Sequence, residues 1–421
     1  MILRDLKEVI SSRAIFTILL VSSIIKLLLV LFILPGTPSS LGPDEGTYAA
    51  AIKHLSQGNS AENFPIYGAR LIDSSMSILA PGILLFYLGL DELSAIRIVS
   101  CAYGIVSSIF FALSYRAYQR LKILESKRTT LPIFDTKFLV FFILFSFFPS
   151  NFLWSTIGLR ESGSQCLILA TFYFLLTLYS ASAKGVGNSW KEWLLVIISL
   201  TLSYGARSQT SLVFGLTLVS SLILLIPKFR KKFIFLALSA AMIGMILGHS
   251  YTSSGASSGA SSASNYLNQS LQGLIMKRNS NAASAQSALP ISGCLDAKYE
   301  TFSLLICNLS ELPYRLFSFL LRPLLFFDQG STSLTLAAIE NVIWAILILL
   351  FLSSLLVRKQ ALLDKYLHLN LVTYIIFFAS ASSLYEGNLG TAFRHKSTIL
   401  WPLLFILMIT PNFFTRTRSE V

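Results

Sequence analysis

Apolar runs near the length needed to cross a bilayer recur along almost the whole chain. About twenty apolar residues span the hydrocarbon as a helix, and no stretch outside such runs is long enough to own a soluble core. Hydrophobic residues make up 54% and charged residues 13%, against about 25% charged in a soluble domain. The expected fold is all-α, a polytopic transmembrane helical protein forming a single integral-membrane domain over 1–421. The first apolar run is too long, and lacks the small-residue cleavage site, for a removed signal peptide.

The net charge of +13 does not point to nucleic acid. The basic residues gather in short clusters around Arg4–Arg13, Arg116–Lys137, Lys228–Lys232, Arg358–Lys365 and Arg416–Arg418. Clusters of this kind hold loops on the cytoplasmic side. The resulting threading has spans at 14–34, 93–114, 138–150, 161–181, 191–206, 209–226, 232–250, 334–356, 366–384 and 397–412, about ten helices with both termini inside. The segments 76–90 and 313–327, interrupted by Pro81-Gly82 and Arg322-Pro323, read as re-entrant or interfacial helices, because proline breaks the backbone ladder.

Two extracytoplasmic loops stand out. The first, 35–92, carries Pro43-Asp44-Glu45-Gly46-Thr47-Tyr48, followed by a short helix expected over 44–57. The second, 251–312, is rich in Ser, Ala, Gly and Asn over 252–292, a composition that reads as mobile. Cys294 and Cys307 near its end are candidates for a disulfide on an oxidising side; Cys101 and Cys166 read as buried thiols. No internal repeat is visible.

Adjacent carboxylates beside a bilayer are rare without a function. Asp44 and Glu45 read either as a helix cap suited to the amino-terminal dipole or as a base at the membrane surface, and the two readings are compatible. Arg160-Glu161, Arg207 and Arg394-His395-Lys396 fall on the same outer face in this threading. Arginine in tight outer connections runs against the positive-inside bias and suits a phosphate held by guanidinium forks. The plainer readings are snorkelling arginines, a salt bridge from Arg160 to Glu161 or another outer carboxylate, an interfacial anchor beside Trp401 and a satisfied polar His395. Arg70 and Arg97 are further candidates for lining an outer cavity. Lys26, inside the first span, either snorkels or pairs with a carboxylate. There is no phosphate-binding P-loop, nucleophile elbow or zinc signature, so an enzyme of this kind would receive an activated substrate.

These motifs resemble the GT-C glycosyltransferases, in the branch of lipid A aminoarabinose transferases and protein O-mannosyltransferases. The matching residues are Asp44, Glu45 and Tyr48 after the first helix; Arg97 in APGILLFYLGLDELSAIRIV (80–99); and Arg394-His395 ahead of Pro402. The resemblance covers about 14–120 and returns near 386–405. The chain departs from it in having fewer helices than several members and no soluble C-terminal domain. The resemblance implies an inverting transfer of sugar from a polyprenyl-phosphate donor to a glycan, lipid or protein acceptor, on the outer face of a bacterial plasma membrane. Asp44 would be the base, Glu45 would assist, and Arg160, Arg207, Arg394, His395 and Lys396 would hold the donor phosphate. Tyr48, Arg70, Arg97 and Glu161 would line the cavity. The sequence identifies no cofactor, and a divalent metal, Mg or Mn, bridging carboxylate and phosphate stays open. The stretch WSTIGLRES (154–162) also resembles O-antigen and exopolysaccharide polymerases, which keeps a polymerase acting on lipid-diphosphate glycans as an alternative. A lipid-linked oligosaccharide flippase is the non-enzyme alternative.

Overall fold

The computed structural model describes residues 2–34, 43–64, 72, 75–126, 134–183, 190–224, 301–328, 332–356 and 362–410, with the positions 272, 275, 276, 278–280, 282 and 294. Among these residues the chain is helical and contains no strand. Among the described residues, six helices are long and apolar enough to cross a membrane: Arg13–Ile33, Glu92–Leu124, Arg160–Ala181, Leu334–Leu356, Lys365–Leu384 and Leu389–Ile409. That is the arrangement expected of a helical membrane protein, since a helix satisfies its own backbone groups in lipid. The chain divides into two compact units, Met1–Phe214 and Gly215–Val421.

In the first unit, α1 (Ile2–Ser11) leads to α2 (Arg13–Leu28), whose end widens into a π-helical turn, Leu29–Ile33. Then come α3 (Pro43–Ser56), α4 (Met76–Tyr87) and the long α5 (Glu92–Ser126). They are followed by α6 (Thr136–Phe147), α7 (Pro149–Trp154), α8 (Arg160–Ala183) and α9 (Trp190–Ala206), and α10 (Ser208–Leu224) begins here. Helix α3 matches the expected short helix. It starts with proline in its first turn, where a missing N–H costs nothing.

Two expectations change. The span expected over 138–150 is broken at Phe148, which is extended (ψ 124°). Pro149 disfavours the helical conformation in the residue before it and opens α7 instead. Helix α5 also runs well past 114, so Arg116, Arg120 and Lys122 lie on a helix rather than in a loop. That extension is fastened by α1: Asp5, fully buried, pairs with Arg120 and accepts from Tyr173 Oη at 2.8 Å, and Glu8 pairs with Arg116.

Aromatic rings join α5 to α6, with Phe111 stacked on Phe145 at 4.4 Å and Tyr115 on Phe138 at 4.5 Å between centroids. Each such pair adds about 0.5–1.5 kcal/mol to its area burial. An apolar cluster of Tyr48, Ile52, Ile78, Leu79, Ile96 and Val99 locks α3 and α4 onto the start of α5.

The second unit contains α11 (Thr301–Leu321), α12 (Thr332–Leu356), α13 (Leu362–Tyr385), α14 (Leu389–Lys396) and α15 (Leu400–Ile409), the last two joined by the 3-10 turn Ser397–Ile399. The segment 313–327 is not a separate helix. Its first part is the second half of α11, with Pro313 inside, and the helix stops at Leu321 because Arg322 precedes Pro323. The helix expected over 397–412 starts earlier, so Arg394, His395 and Lys396 sit in helical turns. The span expected over 232–250 lies outside the described residues.

Most of the Ser-rich loop, including 251–271, lies outside the described residues; of those described, Ile275, Arg278 and Ala282 are buried, and their three- and four-residue spacing places them on one helical face. Cys294 and Cys307 are joined by a disulfide, with their Cα atoms 5.9 Å apart.

Candidate functional site

The first unit builds its site at the start of α3. Asp44 and Glu45 both stand in the first turn, where the helix dipole favours carboxylates. Successive residues point in different directions around a helix of 3.6 residues per turn, and here the two carboxylates part company. Glu45 is fully buried and its Oε1 accepts from Arg97 Nε at 2.6 Å, while Arg97 Nη1 donates to the Leu34 carbonyl at 2.9 Å. Asp44 is half-buried. Arg97 is therefore the clasp of the site. Tyr48, 2% exposed, belongs to the apolar cluster.

The turn between α7 and α8 presses on this pair. Gly158 adopts φ +67°, and a Cβ there would lie 3.0 Å from Ile96 and 3.3 Å from Glu45 Cγ. Only glycine takes up that conformation and that space without strain. Ser100 Oγ donates to the carbonyls of Trp154 and Leu159 at 3.2 Å and lies 2.8 Å from Ser162 Oγ, fixing the same turn to α5. Arg160, half-buried, opens α8 two residues after Gly158. Glu161 Oε1 is 3.5 Å from Arg207 Nη1, and both residues are buried. Two ion pairs thus join Glu45 to Arg97 and Glu161 to Arg207; Asp44 and Arg160 are half-buried.

Lys26 neither snorkels nor pairs with a carboxylate among the described residues. It is 1% exposed and its ammonium lies over the Phe152 ring, 5.3 Å from the centroid. Arg70 lies outside the described residues.

The second unit handles the Arg394-His395-Lys396 run differently from expectation. Asn388 caps α14 by accepting from Gly390 N at 2.8 Å. Arg394 is half-buried. His395 is buried, with Nδ1 on the carboxylate of Glu386. Lys396 is fully buried, donating to the Leu320 carbonyl at 3.2 Å and to Asn341 Oδ1, with the Trp344 and Phe393 rings 5.2 and 5.0 Å away. Asn341 in turn donates to the carbonyls of Leu321 and Pro323. Lys396 is a staple between α11, α12 and α14, not a phosphate ligand in this arrangement.

Three residues absent from the sequence-based set enter here: Glu386, Arg278 and Arg315. Arg278 Nε donates to the Glu386 carbonyl at 3.2 Å, and Arg315 Nη1 donates to Asn308 Oδ1 at 3.1 Å. Burial and then the charge of Arg315 pull the Arg278 guanidinium down to about 10. The available signal was an arginine standing in a loop otherwise poor in charge.

For a divalent metal, the adjacent carboxylates do not fit as a pair of ligands, because Glu45 is committed to Arg97. Among the described residues, the group of three side chains with metal-ligand spacing is Cys294, Cys307 and Glu311. Its two sulfurs are bonded to each other, which leaves a single carboxylate.

Comparison with known proteins finds no matching family model, no matching curated protein and no matching solved structure.

Proposed function

We propose that the chain is an integral-membrane glycosyltransferase of the GT-C type, using a polyprenyl-phosphate-linked sugar on the extracytoplasmic face of a bacterial plasma membrane. The carrying observation is the division of labour at the start of α3. Glu45 is anchored on Arg97 inside the protein, and this anchorage fixes Asp44 as a half-buried carboxylate at the helix end. The sequence resemblance supports the substrate class.

In this reading Asp44 takes the proton of the acceptor hydroxyl as its oxygen bonds to the anomeric carbon. The bond from that carbon to the phosphate oxygen breaks, the lipid phosphate leaves with the electron pair, and the anomeric configuration inverts. Arg160 faces the charge gathering on the leaving phosphate. A positioned base contributes about a hundredfold to ten-thousandfold, and one fixed donor to a developing oxyanion about 3–4 kcal/mol. Glu45 and Arg97 are positioning residues.

The test supplies membranes carrying wild type, Asp44→Asn or Arg160→Gln with a panel of radiolabelled polyprenyl-phosphate sugars. The expected result is transfer by wild type and a fall of about a hundredfold or more for Asp44→Asn, with donor binding retained. Full transfer by Asp44→Asn removes the base from position 44. Elongation of lipid-diphosphate glycans with no transfer from any monosaccharide donor replaces the reading with a polymerase. Arg394→Ala, assayed alongside, reports whether the half-buried arginine of the second unit takes part.

A further inference from the structure

We propose that Arg278 and Arg315 form a binding site for a phosphate or diphosphate group in the second unit. This inference goes beyond the transfer reaction above: it rests on other residues and is read by binding rather than turnover.

Both guanidinium groups are 3% exposed, and buried arginine is normally matched by acceptors around its fork. Arg315 has them in Asn308 and in the Glu311 carboxylate one helical turn away. Arg278 is only partly supplied. Its Nε reaches the Glu386 carbonyl, while its Nη1 is buried with no hydrogen-bond partner among the described residues. The Glu386 carboxylate does not make up the difference, since it is engaged by His395.

The two arginines are near enough for the charge of Arg315 to oppose that of Arg278, with Glu311 acting on both. A buried guanidinium with an unfilled donor is unfavourable, and an oxyanion at Nη1 supplies that acceptor and offsets the repulsion between the two arginines. Planar guanidinium matches phosphate oxygens in paired hydrogen bonds, which selects phosphate over a small spherical anion.

The place is also held in shape. Gly387 passes so close to the turn of Arg278 that a Cβ would lie 2.0 Å from the Arg278 carbonyl oxygen and 2.7 Å from Ala282 N. The backbone carrying Arg278 is thereby keyed to the Glu386–Asn388 segment, and Arg315 is carried on α11.

The test is calorimetric titration of the purified full chain with inorganic phosphate, inorganic pyrophosphate and farnesyl phosphate. The variants are Arg278→Gln, Arg278→Lys and Arg315→Gln, with Lys191→Gln, an exposed lysine of α9, as a control for lost charge. The expected result is saturable binding to wild type and to Lys191→Gln, and a loss of tenfold or more in Arg278→Gln and Arg315→Gln. Arg278→Lys, which keeps the charge without the fork, should fall between. Tighter binding of farnesyl phosphate than of both inorganic probes assigns the site to a lipid headgroup; equal binding assigns it to a free phosphate. Unchanged affinity in Arg278→Gln, or no binding of any probe to wild type, overturns the site. Should the variants fail to fold, the wild type alone decides: pyrophosphate must raise its melting midpoint above that in chloride of equal ionic strength, and no rise refutes the proposal.

Discussion

Glu45 and Arg97, fifty-two positions apart, meet in a pair 2.6 Å long that neither shares with solvent. Removing one partner leaves the other charge buried and uncompensated, which costs about 3–5 kcal/mol. Glu45→Gln should therefore lower the thermal midpoint sharply. Arg97→Lys should not rescue the pair, because a single ammonium replaces a fork that also reaches the Leu34 carbonyl. Circular dichroism melts in detergent decide it; an unchanged midpoint for Glu45→Gln would show that the pair contributes nothing.

Gly158 is a second point of sensitivity. Alanine there meets a left-handed backbone and a 3.0 Å approach to Ile96. The conformation alone costs about 1–2 kcal/mol, and relieving the contact displaces the side chains around Glu45. Gly158→Ala should lose stability by at least that amount and reduce sugar transfer without altering its pH profile. A variant with wild-type stability and turnover would show that the turn relaxes freely.

Arg322 and Asp328 give a pH signature. The side-chain hydrogen bond from Arg322 holds the Asp328 carboxyl below its ordinary value, against the opposing effect of burial. A carboxyl whose folded value is depressed contributes stability that is complete above its unfolded value of about 3.9. That contribution disappears as pH falls through the folded value. Melting midpoints of wild type and Asp328→Asn, followed from pH 6 downward, should differ at the start and converge in acid. Parallel curves would refute the linkage.

The Cys294–Cys307 bridge closes a short loop, and bridges over loops of about fifteen residues stabilise by about 3 kcal/mol in the chain-entropy view. Cys294→Ser and Cys307→Ser should each carry nearly the full loss, and the double variant no more. Intact protein should take up no maleimide at these positions until reduced, and the buried Cys101 and Cys166 should react only after unfolding. Mass spectrometry of the labelled peptides reads both.

The helical class was legible because hydrophobic length alone dictates it, and the short helix after the first span was legible from Pro43 and its two carboxylates. What charge counting could not show was which cations meet distant partners inside their own protein, as Arg97, Arg207, His395 and Lys396 do. Their partners Glu45, Glu161, Glu386 and Asn341 lie 52, 46, 9 and 55 positions away, a separation no local pattern encodes. Composition misled in the opposite direction at Arg278, where a Ser- and Asn-rich context concealed a buried face. Pro149 was a local signal that the apolar length of its segment outweighed.

Arg97 holds the last carbonyl of the first membrane helix in one hand and the second acidic residue of α3 in the other. One guanidinium thus ties Leu34, at the close of the first helical run, to Glu45 in the opening turn of α3, so a single substitution at position 97 releases both ends at once.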